Sequence, residues 1–258
     1  SENQSSTNGD IGIGTDGKPV NMDLWTYRII NGNEISLSRM TGCGPLAGYD
    51  DKNVVNGQII GKVPQYIKID GNNEFYLVTD MDHTFYGCSS LTTAPEIPDS
   101  VTNMTSTFEI CRNLTTAPEI PNSVTDMSSA FSICSNLTTA PEIPNSVTNM
   151  SWTFYRCSSL TTAPEIPNSV TDMTYTFDEC SSLTTAPEIP TSVTSMASTF
   201  YNCSKLEGTI VINASPKKYG SCFKNAATKG SGLIVTGSSN KLDELIATGN
   251  SNYIKKGE

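Results

Sequence analysis

Eight cysteines, five evenly spaced glutamates and a single histidine are the side chains of this 258-residue chain whose chemistry could be put to use. Cys88, Cys111, Cys134, Cys157, Cys180 and Cys203 recur at steps of 23. Zinc needs converging ligands at short paired spacings. The chain has no C-x-x-C and no Cys/His pair, so no metal is expected. The six cysteines keep register with apolar neighbours and read as small buried hydrophobes. Neighbouring turns of a repeat stand ~4.8 Å apart, within reach of a disulfide, but their parallel side-chain directions argue against bonding. Cys43 and Cys222 lie outside the column, in opposite ends of the chain. All eight are expected as thiols.

Glu96, Glu119, Glu142, Glu165 and Glu188 form a second column with no lysine in the repeated phrase beside them. Stacked carboxylates repel by about 1 kcal/mol per pair in water, and divalent cations could relieve that. A solvated, salt-screened acidic stripe is the plainer reading. Catalysis finds little support. His83 is the sole histidine and would have to serve any Ser-His-Asp or Cys-His device. Acid pairs such as Asp178-Glu179 are adjacent in sequence, but nothing there marks a raised pKa or a cleft. "GIGTDG" at 12–17 spells G-x-G-x-x-G, yet it lacks a preceding apolar strand and a following helix start. No enzyme activity and no cofactor are expected. The Thr columns from Thr92 onward suit an ice-binding array in type, but Thr is also a good strand residue, and adjacent prolines bend the surface.

Two columns vary where the rest repeats. One reads His83, Ser106, Ser129, Trp152, Tyr175, Ser198, and the other Tyr86, Glu109, Ser132, Tyr155, Asp178, Tyr201. Packing would not demand such variety. Trp152, Tyr155 and Tyr175 fall on neighbouring turns with Arg156 beside them, a candidate contact patch of aromatics and arginine. Drift on an exposed face is the alternative.

These columns must be positioned by something that repeats. "LTTAPEIP" begins at Leu91, Leu114, Leu137, Leu160 and Leu183, and a fixed period of this size signals a solenoid. Phe85 to Phe200 keep the step, which reaches Phe223, where Ala226 takes the cysteine slot. Leu91, Ala94, Ile97, Val101, Met104, Phe108 and Cys111 are the apolar set of one turn, buried only against neighbouring turns. Met104, Phe108 and Cys111 stand at i, i+4 and i+7, which predicts a short helical turn. Asp or Asn (Ser at 195) before each Met is the expected N-cap. "LTTA" predicts a strand of about three to five residues, cut short by two prolines.

The ends read as caps. Residues 1–10 are expected to be a disordered tail and 11–74 an N-terminal cap with a hairpin at Asn31-Gly32-Asn33. Residues 75–226 form the repeat array, which "QYIKI" joins at its start, and 227–258 the C-terminal cap. In that cap "GLIV" is the last strand and "NKLDELIATG" a helix stopped at Gly249. The opening "SENQSSTNGD" is no signal peptide and reads as a mature tail. No apolar run approaches the ~18 residues of a spanning helix, so no membrane insertion is expected. Charge is unevenly placed: 26 acids face 16 bases overall, eleven face three in residues 85–205, and seven lysines face four acids in 206–258. The acidic balance argues against nucleic acid as a partner.

"LTTAPEIPNSVTDMSSAFSIC" resembles the BspA-like class of bacterial leucine-rich repeats over residues 75–226. It departs by one residue added before the Pro and one removed between Met and Phe, as in lipoprotein-type surface repeats. The resemblance implies a leucine-rich-repeat-like right-handed superhelix of short parallel strands and short helical turns, monomeric and outside a bacterium. It also implies a link to adhesion and host contact; the expected partner is a protein or glycan on a host or neighbouring cell, and the expected anchor is a lipid on a segment absent from this sequence. The alternative from another class is a structural spacer or shaft in a surface or phage-type fibre.

Overall fold

The computed structural model describes residues 4–5, 9–37, 54–55, 57–59, 61–250 and 252–258. Its N-terminal part is a seven-stranded sheet in the order β1-β4-β5-β9-β8-β2-β3. The strands are β1 (Gln4–Ser5), β2 (Ile11–Ile13), β3 (Pro19–Val20), β4 (Thr26–Asn31) and β5 (Glu34–Leu37). After a two-stranded pair of β6 (Val54–Val55) and β7 (Gln58–Ile59) come β8 (Tyr66–Lys68) and β9 (Phe75–Asp80). β4 and β5 pair antiparallel around Gly32, whose φ of 50° lies in the left-handed region that glycine adopts without strain. The "QYIKI" strand pairs antiparallel with β2 and β9. It therefore belongs to this sheet and not to the first repeat.

The junction with the repeats is made by β9. Asp80, its last residue, bridges Asn103 in parallel. The same bridge recurs from Asn103 to Asp126, Asn149, Asp172, Ser195 and Lys218. A second column joins Thr93 to Thr116 and Thr139 to Thr162 and Thr185. The expected strands of three to five residues are thus single bridges. Two prolines and the turns that follow leave no second consecutive residue in register.

The Met-Phe-Cys half departs further from expectation. It is a chain of β-turns with no helix. Thr107 N donates to Met104 O and Cys111 N to Phe108 O, at 3.1 and 3.0 Å. The third residue of each turn, Ser106 or Ile110, has φ of 50° or 64°, as a type II turn requires. Alternate amides leave the coil: Met104, Ser106, Phe108 and Ile110 donate to the carbonyls of Asp126, Ser128, Ala130 and Ser132. A helix would spend those amides internally on the fourth residue back. The Asx residues cap as their types suggest, but they cap turns: Asn103 Oδ1 accepts from Thr105 N, and Asp126 Oδ1 from Ser128 N. Asn103 and Asn149 also donate Nδ2 to Asp80 and Asp126 one coil back. The Asp/Asn alternation therefore replaces like-charge contacts with charge-assisted hydrogen bonds.

The core is the inward column set. Leu, Val, Met, Phe and Cys of every coil are essentially sealed from solvent. Phe85 to Phe223 stack ring on ring at 5.2–5.8 Å. Trp25 from the N-terminal sheet closes one end, edge-on to Phe85 at 6.0 Å. At the other end Gly249 lies against Phe223, where a Cβ would come within 3.0 Å of the Phe223 backbone and side chain. Each column thiol from Cys111 to Cys203 donates to a Phe carbonyl 26 residues earlier, at 3.0–3.2 Å.

β10 (Gly208–Val211), in the last coil, forms a parallel sheet with β11 (Leu233–Thr236) and β12 (Ile254–Lys256). The five-residue helix α1 (Leu242–Ile246) lies between β11 and β12. β11, the "GLIV" segment, is not the last strand: β12 follows and pairs with it. Only Ile254 of β12 is buried, beside exposed Lys255 and Lys256, so no apolar run announced it.

Candidate functional site

The turns set the exposed columns. Trp152 and Tyr175 occupy the left-handed position of the first turn, at φ 61° and 56°, and Arg156 and Glu179 that of the last turn, at 56° and 59°. Residues 23 apart therefore point the same way on successive coils. The Trp152 indole stacks on the Tyr175 ring at 4.0 Å and meets Tyr155 edge-on at 4.9 Å. The Arg156 guanidinium lies 5.1 Å from the Tyr155 ring centre and forms a two-pronged pair with Glu179, at 2.8 and 3.0 Å. Trp152, Tyr155, Arg156 and Tyr175 are thus one cluster, with both tyrosines and Trp152 half-buried and Arg156 exposed. Bulky residues seldom adopt positive φ. Two adjacent coils do so with aromatic side chains where Ser106, Ser129 and Ser198 stand elsewhere.

Two acids belong to the site that composition alone did not place there. Glu179 is the column mate of Arg156, so the 23-residue step already pairs them. Asp178 is the surprise. It is 5% exposed, and burial followed by the charge of Glu179 pushes its carboxyl up to about 7, partly offset by Arg156. The Asp178-Glu179 pair is thus not an ordinary surface pair of acids. Asp178 stands in the column between Tyr155 and Tyr201, and desolvation there favours the neutral acid.

The glutamate column is exposed throughout. Glu96 accepts from Thr15 Oγ1 at 2.6 Å and Glu188 from Asn213 Nδ2 at 2.7 Å, so its ends are tied to the flanking parts. Shallow clefts of about 330, 460 and 470 Å³ run between these coils, walled by the prolines. Among the described residues no three metal-ligating side chains converge. Thr hydroxyls of the exposed columns donate to carbonyls of the preceding coil, as Thr115 does to Thr92 and Thr125 to Thr102.

The cysteines need one correction. Cys111, Cys134, Cys157, Cys180, Cys203 and Cys222 are buried free thiols, and burial raises the Cys134, Cys180 and Cys203 groups far above the usual thiol range. Cys88 is disulfide-bonded, to a partner outside the described residues. It sits in the first coil, and its bond is not to a column neighbour, so the parallel-direction argument does not govern it. Cys43 lies outside the described residues.

Similarity to known proteins agrees with this architecture. A leucine rich cell surface protein from Faecalibacterium prausnitzii A2-165 superposes with TM-score 0.54 at 23% identity, over 84% of this chain and 54% of that one. This chain therefore spans about half the length of that protein. A leucine rich repeat protein of T. pallidum gives 0.57 at 21% identity, covering 88% and 95% of the two chains. At these identities the likeness is one of fold. No curated protein matches the chain by sequence. The model of the BspA type leucine rich repeat region matches six copies over residues 79–172 and 104–231, more than half of the sequence. The stacked 23-residue coils are its repeats, and the chain belongs to the BspA-type leucine-rich repeat family.

Proposed function

We propose that this chain is a non-enzymatic recognition or adhesion module of a bacterial surface protein, a right-handed solenoid presenting the aromatic cluster outward. Its partner is a protein or glycan on a host or neighbouring cell. The observation that carries the reading is the cluster itself. Trp152, Tyr155 and Tyr175 gather on two coils with Arg156, and three other coils hold serine at the position of Trp152 and Tyr175. Aromatic and arginine side chains concentrate contact energy in this way. A Cys88 disulfide supports an extracellular setting, since such bonds persist in oxidising compartments. The F. prausnitzii protein's description as a cell surface protein points the same way.

The test is Trp152→Ala in the whole chain, read against a surface partner identified by array. Folding should hold, because serine serves the same position in three other coils. Affinity should drop by about 1–3 kcal/mol. Unchanged affinity, with loss instead on neutralising Glu96 to Glu188, would move recognition to the acidic face. The spacer reading draws on the five identical "LTTAPEIP" phrases, and an array with no ligand at all would favour it.

A further inference from the structure

We propose that the cleft beside the aromatic cluster binds a saccharide carrying a carboxylate. The proposal rests on the recognition reading above and names the ligand class. An open cleft of about 490 Å³ is lined by Arg112 and Arg156, the acid Glu179, the hydroxyl row Ser135, Ser158 and Ser181, and Ile133 and Asn202. Between residues 85 and 204 the chain has only two basic side chains, and they are these two arginines. The coils up to Ser204 thus hold both of their arginines at one concavity, where Glu179 pairs with Arg156 and leaves Arg112 as the unmatched charge.

The two arginines are not alike. Arg156 is held by Glu179 and by the Tyr155 ring, so it borders the cleft in a fixed position. The Arg112 side chain is exposed and has no ion-pair or hydrogen-bond partner among the described residues. Its column continues as Ser135, Ser158, Ser181 and Ser204. Packing therefore does not ask for arginine at 112. A free guanidinium presents a planar fork that matches a carboxylate at two points.

The rest of the lining suits sugar hydroxyls. Ser135 and Ser158 donate their hydroxyls to the carbonyls of Arg112 and Ser135, which orients the oxygens and leaves their lone pairs free to accept. Asn202 and Glu179 add polar groups at the far side. The cluster of Tyr155 and Trp152 adjoins the cleft through Arg156, which lies over the Tyr155 ring. A neutral saccharide would leave Arg112 without a use. An acidic peptide would make no use of the hydroxyl row.

Calorimetry on the whole chain tests this with galacturonic acid trimer and sialyllactose as acidic probes. Galactose trimer and lactose are the neutral controls, and hexaglutamate the peptide control. At least one acidic saccharide should bind, with its neutral counterpart and hexaglutamate about tenfold weaker or more. Arg112→Ala should reduce that binding by about tenfold with unchanged circular dichroism, and Arg112→Lys should restore it in part, since an ammonium lacks the fork. Equal binding of a neutral sugar, equal binding of hexaglutamate, or no binding of either acidic saccharide overturns the proposal. If Trp152→Ala abolishes capture of a surface partner and Arg112→Ala does not, recognition stands and this ligand class falls. If neither substitution matters, both readings fall.

Discussion

Asp178 puts a titration inside the candidate site. Its carboxyl is raised to about 7 in the folded chain, against 3.8 ordinarily, by burial first and Glu179 second, with Arg156 opposing. A raised acid binds its proton more tightly folded than unfolded. The stability it contributes is therefore complete below the ordinary carboxyl value and is lost as pH rises toward 7, with no further change above. Urea unfolding should show the chain less stable at about pH 8 than at about pH 5 by on the order of 2 kcal/mol from this group. Asp178→Asn should flatten that slope and stabilise the chain at the higher pH. A slope of the same size in the variant would assign it to other groups. Trp152 and Tyr175 bear on the same scale: left-handed aromatic residues cost conformational energy, so their place on adjacent coils fits a use at the surface.

At the scale of one coil, the hydrogen bonds between repeats explain which residues recur. Thr107, Thr153, Thr176 and Thr199 are buried and donate Oγ1 to a Met carbonyl 26 residues earlier, at 2.8–2.9 Å. Ala130 occupies this column without a hydroxyl and is fully buried. Ala130→Thr should supply the missing donor to the Met104 carbonyl in a site that fits threonine in the coils on either side. The expected gain is about 0.5–1.5 kcal/mol in denaturant midpoint experiments at constant m-value. A loss would show that this coil is packed more tightly than its neighbours. The Asx column follows the same logic, with Asn amides facing Asp carboxylates across coils.

For the whole molecule the array is held at both ends. Trp25 and β9 close the first coil, while β11, β12 and the chain at Gly249 cover the last. Removing residues 227–258 would uncover Phe223, Ile210 and the open side of β10, all of them now sheltered or paired. Repeat proteins whose terminal coil is exposed lose solubility. The truncated chain should aggregate or melt at a clearly lower temperature, as followed by light scattering and circular dichroism. A soluble truncation of equal stability would place the C-terminal closure elsewhere.

The sequence by itself determined the period, the inward residues and the family. Burial repeats in every coil, and a column of Leu, Val, Met, Phe and Cys has no other place to go. The 23-residue step likewise brought Trp152, Tyr155, Arg156 and Tyr175 onto neighbouring coils. The local conformation was not legible. A Met-Phe-Cys spacing of i, i+4 and i+7 satisfies a helix and a run of left-handed turns equally. What separates them is whether an amide bonds four residues back or 22 residues ahead, and that partner exists only once the coils stack. The same dependence on distant chain hid β12, the Cys88 disulfide and the burial of Asp178. The convergence of Arg112 and Arg156, 44 residues apart in sequence, is likewise decided by tertiary structure, because only the stacking of coils folds two remote positions into one cleft.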